Sequence, residues 1–305
     1  MQEAGCRRQG TSELNQERIE EALKLVGLWR QVVYLPTTGS TNDVAKELAA
    51  QGAPEGTVVV ADEQTAGRGR MGRRWLAPPG TCLLCSLLFR PTLPLTQANR
   101  LTMLCSLAAA DAVADVAGLR VSLKWPNDLI VKSQIPNPKS QNWRKLAGVL
   151  TETGMQVKSQ TPNPKASNWQ VGCAVVGIGI NVNVPPEMLP GLAPDATSIL
   201  AEVGRPVDRV ALLVALLAGV ERRYEALQAG ESPHREWAAR LATLGRSVQV
   251  TTSEGVLTGV AESVDEDGAL LLRTPDGGLH RLLAGDVTLA HARNTSVMQQ
   301  PSISA

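Results

Sequence analysis

The sequence predicts an α+β fold in which a large mixed domain is followed by a small β-domain. Its 305 residues are enough for one large core and a second, smaller one. Up to residue 244, short runs of strand-like composition alternate with helical patterns. After Gly245, short Val, Leu and Thr runs are divided by turns rich in Gly and Asp, which predicts about five strands in a small barrel.

One helix is predicted before the large domain. Thr11 or Ser12 can cap its start, and Gly27 is expected to end it. The C-terminal tail is polar and is predicted to be disordered. The predicted divisions of the chain are an N-terminal segment and helix at 1–30, the large domain at 31–244, the small domain at 245–290 and the tail at 291–305.

Composition limits the classes of partner. The formal net charge is +1, so no overall positive field points to nucleic acid or to an anionic membrane, and no apolar run approaches the length of a membrane span. The five cysteines form no disulfide framework, and the chain shows no basic region followed by an apolar run at its start. Cys82 and Cys85 lie on a predicted buried strand and face opposite sides, which argues against a metal or redox pair. These features predict a reduced, cytoplasmic protein that does not enter membranes.

A basic, glycine-rich loop at residues 67–75, here called the arginine loop, carries four arginines and three glycines in nine positions. Glycines let a backbone approach a ligand closely, and guanidinium groups match carboxylates and phosphates. The alternative is a solvated basic turn. The loop also contains the spacing G-x-G-x-x-G, but Pro78 and Pro79 follow where a dinucleotide-binding motif needs a helix, so that interpretation is rejected. The loop is predicted to bind an anion.

Two further segments place polar side chains near strand ends. Ser40 and Asp43 have the S-x-x-D spacing of a capping box, and a helix N-terminus there is either a plain helix start or part of an anion site. Pro126 interrupts a predicted strand pair at residues 121–131 and leaves Asn127 and Asp128 at a bend. Other predicted strands cover residues 32–35, 83–89, 145–152 and 170–183, and other predicted helices cover 95–116, 207–228 and 233–244.

An eight-residue motif occurs twice. Residues 132–139 and 158–165 match at seven of eight positions, and both copies continue to an Asn-Trp pair. Pro, Asn, Ser and Lys are loop formers, so the segments 132–143 and 158–169 are interpreted as duplicated insertions in neighbouring hairpin tips. They are either passengers or a contact surface for an acceptor protein or a second subunit.

Taken together, these segments resemble the biotin-protein ligases. The resemblance runs from about residue 33 to residue 289. It implies a mixed sheet with flanking helices, related to the class II aminoacyl-tRNA synthetases, followed by an SH3-like barrel. It rests on five motifs in family order: STN at 40–42, QTAGRGR at 64–70, WPND at 125–128, KLAG at 145–148 and GIGIN at 177–181.

The resemblance also implies the reaction. Such enzymes join biotin to ATP to give biotinyl-5'-AMP, with Mg2+ accompanying the ATP, and then transfer biotin to one lysine of the biotin carboxyl carrier protein of acetyl-CoA carboxylase. Cations are needed to hold two anions together and to stabilise the leaving group. Two alternatives are a lipoate-protein ligase and a non-catalytic binding module or regulator.

Site residues are implied by position within the matched motifs. Those implied for biotin are Ser40, Thr41, Asn42, Gln64, Arg68, Gly69, Arg70, Lys145 and Gly148. Those implied for ATP are Arg70, Arg73, Trp75, Lys124, Asn127, Asp128 and Asn181. Those implied as catalytic are Lys145, Arg70 and Asp128.

Some of these assignments keep alternatives. Trp75 is expected to pack against adenine or to belong to the core, and Asn181 to position ATP or metal or to lie in a tight bend. Asp128 is placed near ATP and its Mg2+, or orients the acceptor lysine. No dedicated metal-ligand motif is present. Only one helix and one strand precede Ser40, so winged-helix DNA binding is not expected, and the protein is expected to be a monomer or a homodimer.

Overall fold

The computed structural model describes residues 14–24, 26–134, 143–157 and 169–289. The predicted tail and the centres of both repeated segments lie outside these residues. The helices are α1 (Gln16–Leu23), α2 (Thr41–Ala50), α3 (Asn99–Ala117), α4 (Leu189–Leu192), α5 (Ile199–Val203), α6 (Arg209–Gln228) and α7 (His234–Arg240). The strands of the large domain are β1 (Gln31–Thr38), β2 (Thr57–Gln64), β3 (Cys82–Phe89), β4 (Ser122–Lys124), β5 (Asp128–Lys132), β6 (Trp143–Val157) and β7 (Trp169–Asn181).

A seven-stranded mixed sheet forms the centre of the large domain, in the order β1-β2-β3-β7-β6-β5-β4. Strands β1 and β2 are parallel, and every other neighbouring pair is antiparallel. Helices pack on this sheet, and α3 also packs on α6. The predicted mixed α+β architecture is therefore confirmed.

The core lies where the sequence is continuously apolar. Every residue of β3 is buried, as expected for a strand covered on both faces. Cys82 and Cys85 belong to different apolar clusters on opposite sides of this strand, and both are free thiols, so their predicted placement is correct. Helix α3 is buried along most of its length and ends at Ala117, one residue beyond the predicted bound, because Gly118 follows in the left-handed conformation with a φ of 72°.

Three local predictions were wrong. Helix α1 is capped by Asn15, which accepts a hydrogen bond from the Arg18 amide, and it ends at Leu23, before Gly27. Ser40 occupies the N-cap position of α2, but its side chain makes no capping hydrogen bond. Asp43 does not complete a capping box either, because its carboxylate pairs with cations elsewhere in the fold.

The proline break occurs between β4 and β5, as predicted. Trp125 and Pro126 are joined by a cis peptide bond, Asn127 lies in the turn, and Asp128 is the first residue of β5. Trp125 is buried, and its indole donates a hydrogen bond to the Gly268 carbonyl at 2.8 Å. This turn therefore joins the large domain to the small one.

The described flanks of the two repeated segments lie at opposite ends of β6 rather than at neighbouring tips. The first connects β5 to the start of β6, and the second connects the end of β6 to β7. Both connections join antiparallel strands. Strand β6 has 15 residues, and at about 3.3 Å per residue its two ends lie roughly 46 Å apart. A single contact surface that includes both segments would therefore have to span the length of the sheet.

The small domain is a five-stranded antiparallel sheet in the order β11-β10-β9-β8-β12. Its strand number agrees with the prediction. Its strands are β8 (Ser247–Thr252), β9 (Gly255–Val264), β10 (Leu270–Arg273), β11 (Leu279–Leu282) and β12 (Asp286–Leu289). In the described part of the chain, no helix combines the length and apolar character that a membrane span needs.

Candidate active site

The arginine loop folds into a small hairpin. The Trp75 amide donates to the Gly67 carbonyl at 2.9 Å, and the Gly69 amide donates to the Arg73 carbonyl at 2.6 Å. Met71 and Gly72 turn the chain at its tip with φ values of 54° and 72°. A Cβ at position 67 would lie 2.6 Å from the Trp75 carbonyl oxygen, so this close approach requires glycine. Only one 3₁₀ turn forms here, which agrees with rejecting a dinucleotide-binding helix.

A cavity of about 670 Å³ lies between this hairpin and the central sheet. A volume of this size suits a small-molecule ligand. All fifteen side chains or backbones implied from the motifs line it: Ser40, Thr41, Asn42, Gln64, Arg68, Gly69, Arg70, Arg73, Trp75, Lys124, Asn127, Asp128, Lys145, Gly148 and Asn181.

One wall of the cavity is a chain of buried polar groups. The Thr41 amide donates to Gln64 Oε1 at 2.8 Å, and the Thr41 hydroxyl lies 3.0 Å from the same oxygen. Ser86 Oγ lies 2.7 Å from Thr41 Oγ1 and 2.6 Å from Asn42 Oδ1. Ser40, Thr41, Asn42 and Ser86 are each at most 4% exposed. These groups give a ligand hydrogen-bonding partners that the fold holds in place.

Arg68 lies at the edge of this wall between two carboxylates. Its guanidinium binds Asp43 through two hydrogen bonds and lies 3.3 Å from Glu152. The hydrogen bond from Arg68 lowers the pKa of Asp43 to about 2. Lys46 also pairs with Asp43 and Glu152, at 3.0 and 3.1 Å. Burial alone would lower the pKa of Lys46, but these two carboxylates raise it.

Lys145 and Asp128 form an ion pair inside the cavity. Lys145 Nζ lies 2.6 Å from Asp128 Oδ1, and the side chains are 27% and 14% exposed. The backbone of Lys145 is fixed by the segment before α5, because its amide donates to the Asp195 carbonyl at 2.7 Å. The long first connection does not displace Lys145 from the site. Its ammonium therefore faces the cavity in a defined position.

Trp75 lies across two glycines on adjacent strands. Gly148 on β6 and Gly179 on β7 are paired in the sheet. A Cβ at position 179 would lie 2.7 Å from Trp75 Cε2, and one at position 148 would lie 3.3 Å from Cζ3. Lys145 Nζ lies 5.7 Å from the ring centroid, and the buried indole Nε1 has no hydrogen-bond partner among the described residues. The ring thus lines the cavity and also packs against the apolar cluster that contains Cys82 and Leu84.

Two other arginines connect the arginine loop to the small domain. Arg73 pairs with Asp286 at 2.8 and 3.1 Å, and Arg70 donates to the Gly285 carbonyl at 3.4 Å. Burial lowers the pKa of Arg70, although Asp128 and Asp286 oppose that change. The small domain therefore forms one side of the cavity entrance.

The remaining implied residues have different roles in the fold. Asn181 is buried, and its amide donates to the Thr197 carbonyl at 2.9 Å. Asn127 donates to the Val149 carbonyl at 2.6 Å. Lys124 pairs in the sheet with Asp128 and faces the cavity. In the described part of the chain, no group of three or more His, Cys, Asp or Glu side chains could hold a metal ion.

Sequence reasoning missed several parts of this site. It did not identify Glu152, Ser86 or Asp286, or the segment 192–196 that borders the cavity. Ser86 lies inside an apolar strand, and a lone hydroxyl in such a run is a signal that could have been used. The other residues carry no local signal, because their importance depends on partners far away in the chain.

Comparison with known proteins identifies the class to which this fold and site belong. Residues 34–161 match the model of the Biotin/lipoate A/B protein ligase family, and residues 243–289 match that of the Biotin protein ligase C terminal domain. The "Bifunctional ligase/repressor BirA" of Bacillus subtilis is 34% identical over 279 residues, which cover 90% of this chain and 79% of the relative. The "Biotin--[acetyl-CoA-carboxylase] ligase" of Paracoccus denitrificans is 34% identical over 250 residues, which cover 80% and 94%.

Solved structures agree with these relatives. The biotin protein ligase of Aquifex aeolicus in complex with biotin and ATP is 27% identical, with a TM-score of 0.65, and the match covers 86% of this chain and all of that one. Fold and cavity thus define a ligase of the biotin/lipoate class. Within that class, the chain belongs to the biotin protein ligase family.

Proposed function

We propose that this ligase binds biotin and ATP side by side in the cavity and joins them as biotinyl-5'-AMP. The carboxylate of biotin attacks the α-phosphorus of ATP, the bond to the leaving pyrophosphate breaks, and a mixed anhydride remains. A lysine amine of the acceptor protein then attacks the acyl carbon and releases AMP. The net products are an amide, AMP and pyrophosphate.

The observation that carries this proposal is the placement of cations around one polar cavity. Arg68, Arg70 and Arg73 approach it from the arginine loop, and Lys145 faces it from β6. Bringing a carboxylate to a polyphosphate requires neutralising charge on both reactants and stabilising the charge that develops on the departing group. A cavity that combines these cations with a neutral hydrogen-bonding wall fits that requirement.

We assign the neutral wall to the biotin ring system. Thr41 and Gln64 offer hydroxyl and amide groups that are held by the fold, and Thr41 is only 3% exposed. Gln64 Oε1 accepts the hydrogen bond from the Thr41 amide, so its Nε2 is the end that remains for a ligand acceptor. Ser40, Asn42, Gly69 and Gly148 line the same cavity, and Gly148 lies where it meets Trp75. A neutral bicyclic ring with a carboxylate tail suits a wall that ends at Arg68.

We assign the opposite side of the cavity to ATP. Trp75 offers an aromatic face and an unpaired indole N–H, and Lys124, Asn127 and Asn181 border the same region. Mg2+ usually binds through one or two carboxylates together with substrate phosphates, so Asp128 and the phosphates of ATP would hold it there. The ion would neutralise charge on the pyrophosphate. Asp128 is also placed to orient the acceptor lysine.

We further propose that the five-stranded C-terminal sheet is an SH3-like barrel and that the acceptor is the biotin carboxyl carrier protein of acetyl-CoA carboxylase. The relative from Paracoccus denitrificans is named for that carboxylase. A cytoplasmic location, the lack of winged-helix DNA binding, and a monomeric or homodimeric state stay predictions from the sequence.

The test is pyrophosphate release by the purified chain with biotin and ATP together and with each omitted. We expect release only when both are present, and biotin transfer only when carrier protein is added. Release with lipoate in place of biotin would assign the chain to the lipoate-protein ligases instead. No release with either acid would contradict an adenylate-forming role.

A further inference from the structure

Glu152 on β6 joins two parts of the cavity wall without lining the cavity itself. Its carboxylate accepts a hydrogen bond from Asn42 Nδ2 at 2.6 Å and lies 3.1 Å from Lys46 Nζ and 3.3 Å from Arg68 Nη2. Its side chain is 29% exposed. Burial would raise the pKa of Glu152, but these donors lower it, so the carboxylate is charged at neutral pH. Glu152 is therefore a hydrogen-bond acceptor at neutral pH.

The carboxylate fixes which way the Asn42 amide points. Its NH2 group faces Glu152, so its oxygen faces Ser86 Oγ at 2.6 Å. Asn42 is 4% exposed and packs directly over Gly177, where an added Cβ would lie 2.3 Å from Asn42 Oδ1. Water therefore has little room to replace a lost partner. A reversed amide would place its NH2 group against Ser86 and its oxygen against the Glu152 carboxylate, which is repulsive.

The orientation of the Asn42 amide determines which way the hydroxyl groups of Ser86 and Thr41 donate. An amide oxygen only accepts, so the single proton of Ser86 is directed to Asn42. The Thr41 hydroxyl lies 2.7 Å from Ser86 Oγ and 3.0 Å from Gln64 Oε1 but has a single proton, and because Ser86 gives its own proton to Asn42, the Thr41 proton goes to Ser86. The Thr41 hydroxyl oxygen is then left as an acceptor, while Gln64 is held separately by the Thr41 amide at 2.8 Å. From Glu152 to Thr41, the chain of hydrogen bonds therefore has one direction.

We propose that Glu152 is a positioning residue for biotin, acting through Asn42 and Ser86 to make the Thr41 hydroxyl a hydrogen-bond acceptor for the ligand. The proposal rests on the assignment of this wall to biotin under the proposed function. Glu152 itself contacts neither biotin nor ATP. Substituting it therefore weakens biotin binding and leaves ATP binding unaffected.

The test is Glu152→Gln, which keeps the shape of the side chain but removes its charge and leaves one oxygen to serve three donors. We expect the biotin Kd from calorimetry, and the KM for biotin, to rise about tenfold or more because a buried charged acceptor is lost. The KM for ATP should stay within about twofold of the wild-type value, because ATP contacts are independent of this chain.

Two control variants separate positioning from structure. Glu55→Gln alters another part-buried glutamate, which accepts from the Arg90 amide at 2.7 Å and from the Tyr224 hydroxyl at 2.5 Å and does not border the cavity. It should lower the melting temperature and leave the biotin Kd unchanged. Asp43→Asn removes the other carboxylate on Arg68 but leaves Asn42 paired, so its effect on the biotin Kd should be smaller than that of Glu152→Gln.

The outcomes are distinct. Tight biotin binding by Glu152→Gln would overturn the proposal, as would an equal loss of biotin and ATP affinity or an equal effect of Asp43→Asn. In each of these cases, pyrophosphate release by the wild-type chain would leave the proposed function intact. Failure of the wild-type chain to bind biotin would instead remove both.

Discussion

Replacing Lys145 with alanine tests the catalytic assignment most directly. The substitution removes the ammonium that lies 2.6 Å from Asp128 Oδ1 and faces the cavity from β6. We expect Lys145→Ala to slow formation of biotinyl-5'-AMP strongly and to leave the fold intact. The reason is that its side chain binds ligand-facing groups rather than the apolar core.

The magnitude follows from the position of the charge. Losing one charged contact to a transition state costs about 3 kcal/mol in a site without water, which is about 150-fold in rate. The Lys145 side chain is 27% exposed, so water screens part of its field. The expected fall in kcat/KM therefore lies between about tenfold and about 150-fold.

The effect on stability should be small by comparison. The substitution leaves Asp128 without its ion pair, and that side chain is 14% exposed. A cost of about 1 kcal/mol corresponds to a fall of about 2–4 °C in melting temperature for a domain of this size. A much larger fall would mean that Lys145 supports the fold rather than the reaction.

The assay is pyrophosphate release with saturating and limiting biotin, on variants whose folding is checked by thermal unfolding. Lys24→Ala is a matched control, because Lys24 also pairs with a single carboxylate, that of Glu21, but lies on the surface outside the cavity. It should have wild-type kinetics. A rate for Lys145→Ala close to that of Lys24→Ala, in folded protein, would refute the assignment.

Three further predictions concern the arginine loop and its surroundings. Gly179→Ala places a Cβ 2.7 Å from Trp75 Cε2, so the indole ring must move. We expect Trp75 to become more accessible to a fluorescence quencher. Unchanged quenching would contradict the close packing of Trp75 on Gly179. Asp286→Asn removes the exposed ion pair to Arg73, so the free energy of unfolding should change by less than about 1 kcal/mol. Hydrogen exchange in the arginine loop should nevertheless become faster. Exchange at the wild-type rate would show that the ion pair does not hold the loop. The hydrogen bond from Arg68 lowers the pKa of Asp43 to about 2, so the stabilising effect of this carboxylate is complete above the unfolded value of about 3.9 and is lost as the pH falls through about 2. In Asp43→Asn, the free energy of unfolding should therefore depend less on pH in that window. An unaltered acid unfolding profile would argue against the ion pair.

Much of the fold could be predicted because it depends on local patterns. An apolar run of strand length predicted β3, the left-handed stop at Gly118 ended α3, and turn residues divided the small domain into five strands. The motifs also named side chains that the fold brings to one cavity. Short helices α4 and α5 were missed because four or five residues are too few to show a helical period.

The sequence by itself determined which residues carry charge and where the backbone can turn tightly; the tertiary structure decided what each charge faces. Arg68 and Arg73 belong to one loop, yet Arg68 binds two carboxylates beside α2, and Arg73 binds Asp286, which is 213 residues away in the chain. The same competition takes Asp43 from its expected cap at α2. Helical periodicity and turn chemistry act over a few residues, whereas an ion pair forms between whichever charges the folded chain brings within about 4 Å, and no local pattern records that distance.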